Sequence, residues 1–175
     1  MKKIILSAMI GTLFFHQKTS GQELRSDFLF ELNMVTSSPQ VVGPVFKGTR
    51  LIIPYKGGLV KGEKINGKIL DCSGDWGLLI DSTTFRTDVR ATIETDDGAH
   101  IFLTSTGYNF TDAKGFTMIS TGRGGELSPS DYYFRTNITF EASSPKYAWL
   151  NHSVAIGVGR FVAADKVDYR VYVIK

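Results

Sequence analysis

The chain has 175 residues, 42% of them hydrophobic, 12% aromatic and 21% charged, with 18 glycines and one cysteine. That composition excludes collagen-like, disordered and disulfide-scaffold proteins, and the length fits one domain. The formal net charge of +3 has a local source. Three of the 20 basic residues, Lys2, Lys3 and Lys18, fall in the first 21 positions and none of the 17 acids does, so 17 of each sign remain beyond them. A balanced remainder gives no electrostatic case for a nucleic acid or an anionic membrane as partner.

Lys2-Lys3, the mostly apolar run Ile4–Phe15 and the small polar Thr19-Ser20-Gly21 follow the layout of a secretory signal peptide. The sequence therefore predicts a leader over residues 1–21, cleaved after Gly21, and a single domain over residues 22–175. A membrane-spanning helix needs roughly 20 apolar residues, more than this run supplies, so no membrane insertion is expected after cleavage. The expected location is the periplasm or the medium of a bacterium.

Beyond the leader, short runs rich in Val, Ile, Thr, Phe and Tyr follow one another, each closed by glycine, asparagine or aspartate. The first predicted strands are Phe28–Val35 and Arg50–Tyr55, the second ending at Lys56-Gly57-Gly58. Leu59–Ile65 and Gly67–Asp71 follow around Asn66-Gly67, a two-residue turn signal because both residues suit positive φ. Trp76–Ile80 comes after Ser73-Gly74-Asp75, and Phe85–Thr95 and His100–Tyr108 flank Asp96-Asp97-Gly98. The one helical stretch is Asp112–Gly122, and Gly122-Arg123-Gly124-Gly125 reads as a mobile loop. Tyr133–Glu141, Ala148–Arg160 and Asp168–Ile174 complete the series. Strands without intervening helices predict an all-β fold, a single closed antiparallel β-barrel with little helix, since closure removes exposed edges.

Side chains alternate faces along a strand. Asp88, Arg90, Thr92 and Glu94 share one face of Phe85–Thr95, against Val89, Ala91 and Ile93. Tyr133, Arg135, Asn137, Thr139 and Glu141 share a face of the next candidate, and Tyr147, Trp149 and Asn151 of the one after. Two arrangements fit: apolar faces inward and polar faces in solvent, or a lumen lined by polar and aromatic groups. Tyr, Trp, Arg and Asn on the polar faces, in place of a Lys/Glu mixture, favour the second, because these residues line binding sites. Arg90 and Arg135 in a lumen would need acids opposite them, and Asp75, Asp88 and Glu141 are available. On this reading Arg90 orients an anionic or carbonyl oxygen and Glu141 or Asp75 is the base or acid. Trp76, Tyr133, Arg135, Trp149 and Asn151 contact the ligand.

Other chemistries find little support. Cys72 stands alone, so no intrachain disulfide forms, and its surroundings in sequence offer no base. His100 and His152 are the only histidines past the leader and form no metal-ligand spacing, so neither a metal nor another cofactor is expected. No Gly-x-Ser-x-Gly elbow occurs, and Gly122-Arg123-Gly124-Gly125 lacks the Gly-Lys-Ser/Thr ending of a phosphate loop.

One ordered set of motifs is specific. It runs Arg50-x3-Pro54-x2-Gly57-Gly58-x3-Gly62, Gly74-Asp75-Trp76, Asp88-Val-Arg90, Thr95-Asp-Asp97-Gly98, Tyr132-Tyr133-Phe134-Arg135-Thr136, Phe140-Glu141, Tyr147-Ala-Trp149-Leu150-Asn151, Gly157-Val-Gly159-Arg160 and Val171-Tyr172. In this order, over nearly all of the mature chain, the series resembles the domain-of-unknown-function family 3237. The resemblance implies a closed, often self-associating β-barrel without an assigned reaction. It also implies that Asp75, Trp76, Arg90, Tyr133, Arg135, Glu141, Trp149 and Asn151 cluster. An aromatic usually follows the arginine matched by Arg90; here that position is Ala91.

The expected function is therefore an exported barrel that binds a small oxygenated or aromatic organic molecule, with cofactor-free acid/base chemistry of the isomerase, cyclase or lyase kind. A ligand-binding module without turnover and a structural or interaction barrel are the alternatives. A homodimer is expected, because apolar outer faces would need cover.

Overall fold

The computed structural model describes residues 23–175, so the expected leader lies outside the described residues. Strand β1 (Ser26–Thr36) is followed by β2 (Gln40–Val45), β3 (Gly48–Lys61), β4 (Gly67–Ile69), β5 (Gly74–Asp75) and β6 (Leu78–Leu79). The long hairpin β7 (Thr84–Thr95) and β8 (His100–Thr111) precedes the helix α1 (Ala113–Ser120). Strands β9 (Tyr132–Ala142), β10 (Val154–Ala163) and β11 (Lys166–Ile174) end the chain. Every pairing is antiparallel. The sheet runs β1-β11-β10-β9-β8-β7-β4-β3, with β5 and β6 continuing the β4 position, and β3 pairs with β1 to close an eight-stranded barrel.

The turn Asp96-Asp97-Gly98 forms as its sequence predicts: Gly98 has φ +82°, and its N–H donates to Thr95 O at 2.8 Å. Elsewhere the boundaries move. Lys56-Gly57-Gly58 does not end a strand. β3 runs through it, and Gly57 at φ +133° lets the strand bend and change partners, from β2 along its first half to β1 along its second. β2 had no counterpart in the sequence reading, since Gly43 and Pro44 lower strand propensity. It survives as a flap outside the ring, paired only with β3, where proline is tolerated. Gly67–Asp71 and Trp76–Ile80 shrink to the short β4 and β6, and β5 forms at Gly74–Asp75, where the sequence suggested a break between strands.

Ala148–Arg160 does not begin as a strand either. Ala148–His152 is a 3₁₀ turn that sinks Leu150 into the barrel end, and Asn151 holds it by accepting from Ala142 N–H at 2.7 Å and donating to Ala142 O at 2.9 Å. The helix within Asp112–Gly122 is present as α1, with Asp112 at its N-cap accepting from Gly115 N–H at 2.7 Å. The glycine-rich segment after it contains a second 3₁₀ turn, Gly124–Glu126.

Burial decides which faces point inward. On β7, Thr87, Val89, Ala91, Ile93 and Thr95 are buried and Arg90 is exposed; on β9, Tyr132, Phe134, Thr136, Ile138 and Phe140 are buried and Tyr133, Asn137 and Glu141 are exposed. The lumen is thus lined by the apolar faces, and the polar lumen favoured from composition is corrected. The cause is energetic: Phe30, Ile65, Ile93, Ile101, Leu150 and Val171 leave essentially no surface exposed, and burying one such side chain contributes about 1.5–3 kcal/mol. Unpaired guanidinium groups in that space would cost several kcal/mol each. These apolar residues fill the lumen at the end where β7 turns into β8. At the other end, beside α1 and β2, the lumen is hollow.

Candidate functional site

The hollow end is a cavity of about 330 Å³. Its walls are mainly apolar, with Met34 and Val167, Leu51 and Ile53, Phe85, Phe134 and Phe161 among them, joined by Phe116 and Ile119 of α1, Pro39 just before β2 and Val41 within it. Seven polar side chains interrupt this lining: Asp75, Tyr55, Tyr169, Thr87, Asn109, Thr36 and Ser120. No lysine, arginine or histidine lines it.

Asp75 is the lining group whose titration is moved into the neutral range. It is 5% exposed, and β5 holds it between Ile53 of β3 and Val89 of β7. One carboxylate oxygen accepts from Asp88 N–H at 2.8 Å, its only hydrogen bond among the described residues. Burial pushes its pKa up from 3.8 to about 7; the Asp88 charge adds to that, while the Asp88 N–H and the Arg50 guanidinium oppose it. Arg50 is itself engaged outside the lumen, donating through Nη1 to Trp76 O and to Gly77 O. Burial also holds the Tyr55 and Tyr169 hydroxyls well above 10, with Asp75 contributing to both. Near neutral pH the cavity therefore offers two neutral phenols and a carboxyl poised to gain or lose a proton.

Three further polar atoms are unsatisfied. Thr87 Oγ1 and Asn109 Oδ1 are buried without a hydrogen-bond partner, as is Thr136 Oγ1 on the adjoining strand. Leaving such a group unpaired costs about 1–3 kcal/mol, and of the three only Thr87 and Asn109 line the cavity, where they stand open to a partner.

The eight residues singled out from the sequence do not converge. Asp75 alone lines the cavity. Arg90 lies outside, 3.2 Å from Asp88 Oδ1 and stacked 5.3 Å over Trp76, so of the three acids available to it in the sequence it pairs with Asp88 and not with Asp75. Tyr133 and Arg135 stack on each other on the outer face of β9, 5.4 Å apart. Glu141 and Asn151 border a shallow groove with His100, and Trp149 borders another beside Lys64. Tyr55, Tyr169, Thr87 and Asn109 were missed. Part of their signal was available: Tyr169 is an isolated polar residue on an otherwise apolar strand face, between Val167 and Val171, whereas Asn109 shares its face with Ser105 and Thr111 and does not stand out. Among the described residues no group of three or more His, Cys, Asp or Glu is arranged to hold a metal.

A family model described as "Protein of unknown function (DUF3237)" matches residues 24–174. The chain belongs to the DUF3237 family. A UPF0311 protein of Rhodopseudomonas palustris strain TIE-1 is 31% identical to it over 134 residues, 77% of this chain and 86% of that protein. A UPF0311 protein of Clostridium acetobutylicum is 31% identical over 136 residues. Among solved structures, a conserved protein of unknown function from R. palustris superposes with TM-score 0.80 at 28% identity, covering 89% of this chain and 99% of that one. A β-barrel-like protein from Acinetobacter baumannii AYE gives 0.77 at 30% identity, covering 90% and 100%. An enzyme from Penicillium herquei shares the DUF3237 fold here at TM-score 0.65 and 19% identity, a likeness of fold alone.

Proposed function

We propose that the barrel binds a small oxygenated or aromatic organic molecule in its hollow end and acts on it by proton transfer through Asp75. The observation that carries this reading is a carboxyl raised to about 7 on the floor of an apolar cavity, with one oxygen tied down and the other uncommitted. Perturbed acids in clefts are where proton-transfer chemistry is found, and general acid–base help of this kind contributes about 10²–10⁴-fold. Tyr55 and Tyr169 supply hydroxyls beside it, and the apolar walls hold the frame of the molecule. Arg90 is a positioning residue in this scheme: it fixes the Asp88 side chain, and the Asp88 N–H fixes Asp75.

A thermal-shift screen against neutral phenols, lactones, aromatic acids and sugars tests the site. A compound at 100 times its dissociation constant should stabilise the fold by about 2.7 kcal/mol. Ile53→Trp, which fills the cavity, should abolish the shift, and Asp75→Asn should keep binding while losing turnover on the bound chemotype. A shift that survives Ile53→Trp but disappears in Arg90→Ala would move the site to the outer face.

Two further parts of the reading are export and self-association. The first predicts that protein recovered from the periplasm or medium begins near Gln22. The second draws on Val41, Val42, Val45 and Phe46 at the β2–β3 hairpin, all exposed, Phe46 fully so. Light scattering should give a dimer mass that Phe46→Ser lowers to a monomer; a monomer in the wild type would end that proposal.

A further inference from the structure

We infer that the cavity is built for an uncharged molecule with a carbonyl-type oxygen at one end and a hydroxyl at the other. The carbonyl oxygen is received by Asp75, Tyr55 and Tyr169, and the hydroxyl by Thr87 and Asn109. The inference rests on the lumen-binding reading above and narrows it to a chemical class.

Charge is the first constraint. A carboxylate or phosphate entering the cavity would meet no cation among the lining residues and would face Asp75. Stripped of water and unpaired, such an anion is expelled. An ammonium group paired with the free oxygen of Asp75 would face the two tyrosine hydroxyls, and at that end it would leave Thr87 and Asn109 as unsatisfied as before.

The donor and acceptor pattern supplies the second. The deep end presents two tyrosine hydroxyls and, at and below neutral pH, a protonated carboxyl, none of the three hydroxyl groups being committed as a donor within the described residues. Three available donors call for an acceptor oxygen. The outer end presents a hydroxyl and a carboxamide. Asn109 is 6% exposed and Thr87 1%, and the Oδ1 of one and the Oγ1 of the other lack any partner. A ligand hydroxyl satisfies both, because it can donate to an oxygen and accept from a nitrogen or a second hydroxyl.

The two ends lie at different depths. Asp75 pairs with Val89 of β7, Asn109 pairs with Phe85, and Thr87 sits between them. Val89 and Phe85 are four positions apart, roughly 13 Å along the strand. One functional group cannot reach both ends, whereas a bicyclic ring substituted at both ends can, with a hydrogen bond completing the span at each.

Three coumarins test this in mildly acidic buffer, where Asp75 is protonated: unsubstituted coumarin, umbelliferone, which adds a hydroxyl across the ring system from the lactone carbonyl, and a coumarin with a carboxylate in place of that hydroxyl. Binding is read by their fluorescence and by calorimetry. Umbelliferone should bind about 10-fold tighter than coumarin, the size of one buried hydrogen bond, and the carboxylate more weakly than either. Asn109→Leu, or Thr87→Val should the first variant not fold, should erase the hydroxyl's advantage and leave coumarin binding in place. A carboxylate that binds as tightly as umbelliferone, or a hydroxyl advantage untouched by both variants, overturns the inference while leaving lumen binding intact. Failure of all three coumarins overturns it too, and together with a silent wider screen removes the lumen reading as well.

Discussion

Asp75→Asn should make the protein more stable in mildly alkaline buffer and leave its stability near pH 4 almost unchanged. The folded state holds the Asp75 carboxyl at about 7 against 3.8 for an unhindered one, so between these values the folded chain binds a proton that the unfolded chain has released. Stability from this group is full below about pH 4, declines as pH rises, and is lost once pH passes about 7. The difference corresponds to roughly 4 kcal/mol, or about 10 °C in melting temperature for a domain of this size. Asparagine keeps an oxygen to accept from Asp88 N–H and never ionises. The wild-type melting temperature should therefore fall between about pH 4 and 7 while that of the variant stays level over the same window. Parallel curves would mean that the carboxyl is not desolvated as the geometry implies. A charge that weakens the fold serves something other than folding, which is what the proposed proton transfer at Asp75 requires.

Gly58→Ala should destabilise the barrel by about 3 kcal/mol, lowering the melting temperature by roughly 6–12 °C. β3 meets β1 at this residue, with Gly58 opposite Met34, and this pairing is the seam that turns an open sheet into a ring. A Cβ on Gly58 would lie 2.2 Å from Asn33 O and 3.1 Å from Met34 Cα. Both contacts are with backbone, so relief requires parting the two strands. Leu59→Ala, one residue along and half-exposed on the outer face, is the control and should change stability by no more than about 0.5 kcal/mol. Equal effects from the two substitutions would show that the seam tolerates widening.

The barrel was legible because strand periodicity and turn chemistry are local. Asp97-Gly98 suits only a tight turn, and the alternation along Phe85–Thr95 suits only a strand with one covered face. What the local pattern leaves open is which face is covered, since a period of two is the same from either side. Tyr, Trp and Arg on one face tilted that choice toward a polar lumen. The structure instead sets them in pairs on the outside, Arg90 over Trp76 and Arg135 over Tyr133, where the guanidinium groups keep their water. Asp75 was picked out as an acid near Arg90, yet its environment comes from Tyr55, Thr87 and Tyr169 on three other strands, brought together only by closure. Lys56-Gly57-Gly58 misled for a related reason: glycines that end a strand in an open sheet serve here to bend one that must change neighbours.

The packing of Ile93, Ile101 and Leu150 beneath the cavity makes the lumen a cul-de-sac. A through-channel lets one molecule push the last one out; a blind vessel does not, and whatever occupies it must back out past α1 and the β2 flap before a successor can enter. On the proposed function, molecules would enter and leave one at a time past Phe116 and Ile119, while the reacting carboxyl sits on the floor. That function would then place its chemistry and its exchange at opposite ends of the same short space, each open to change without the other.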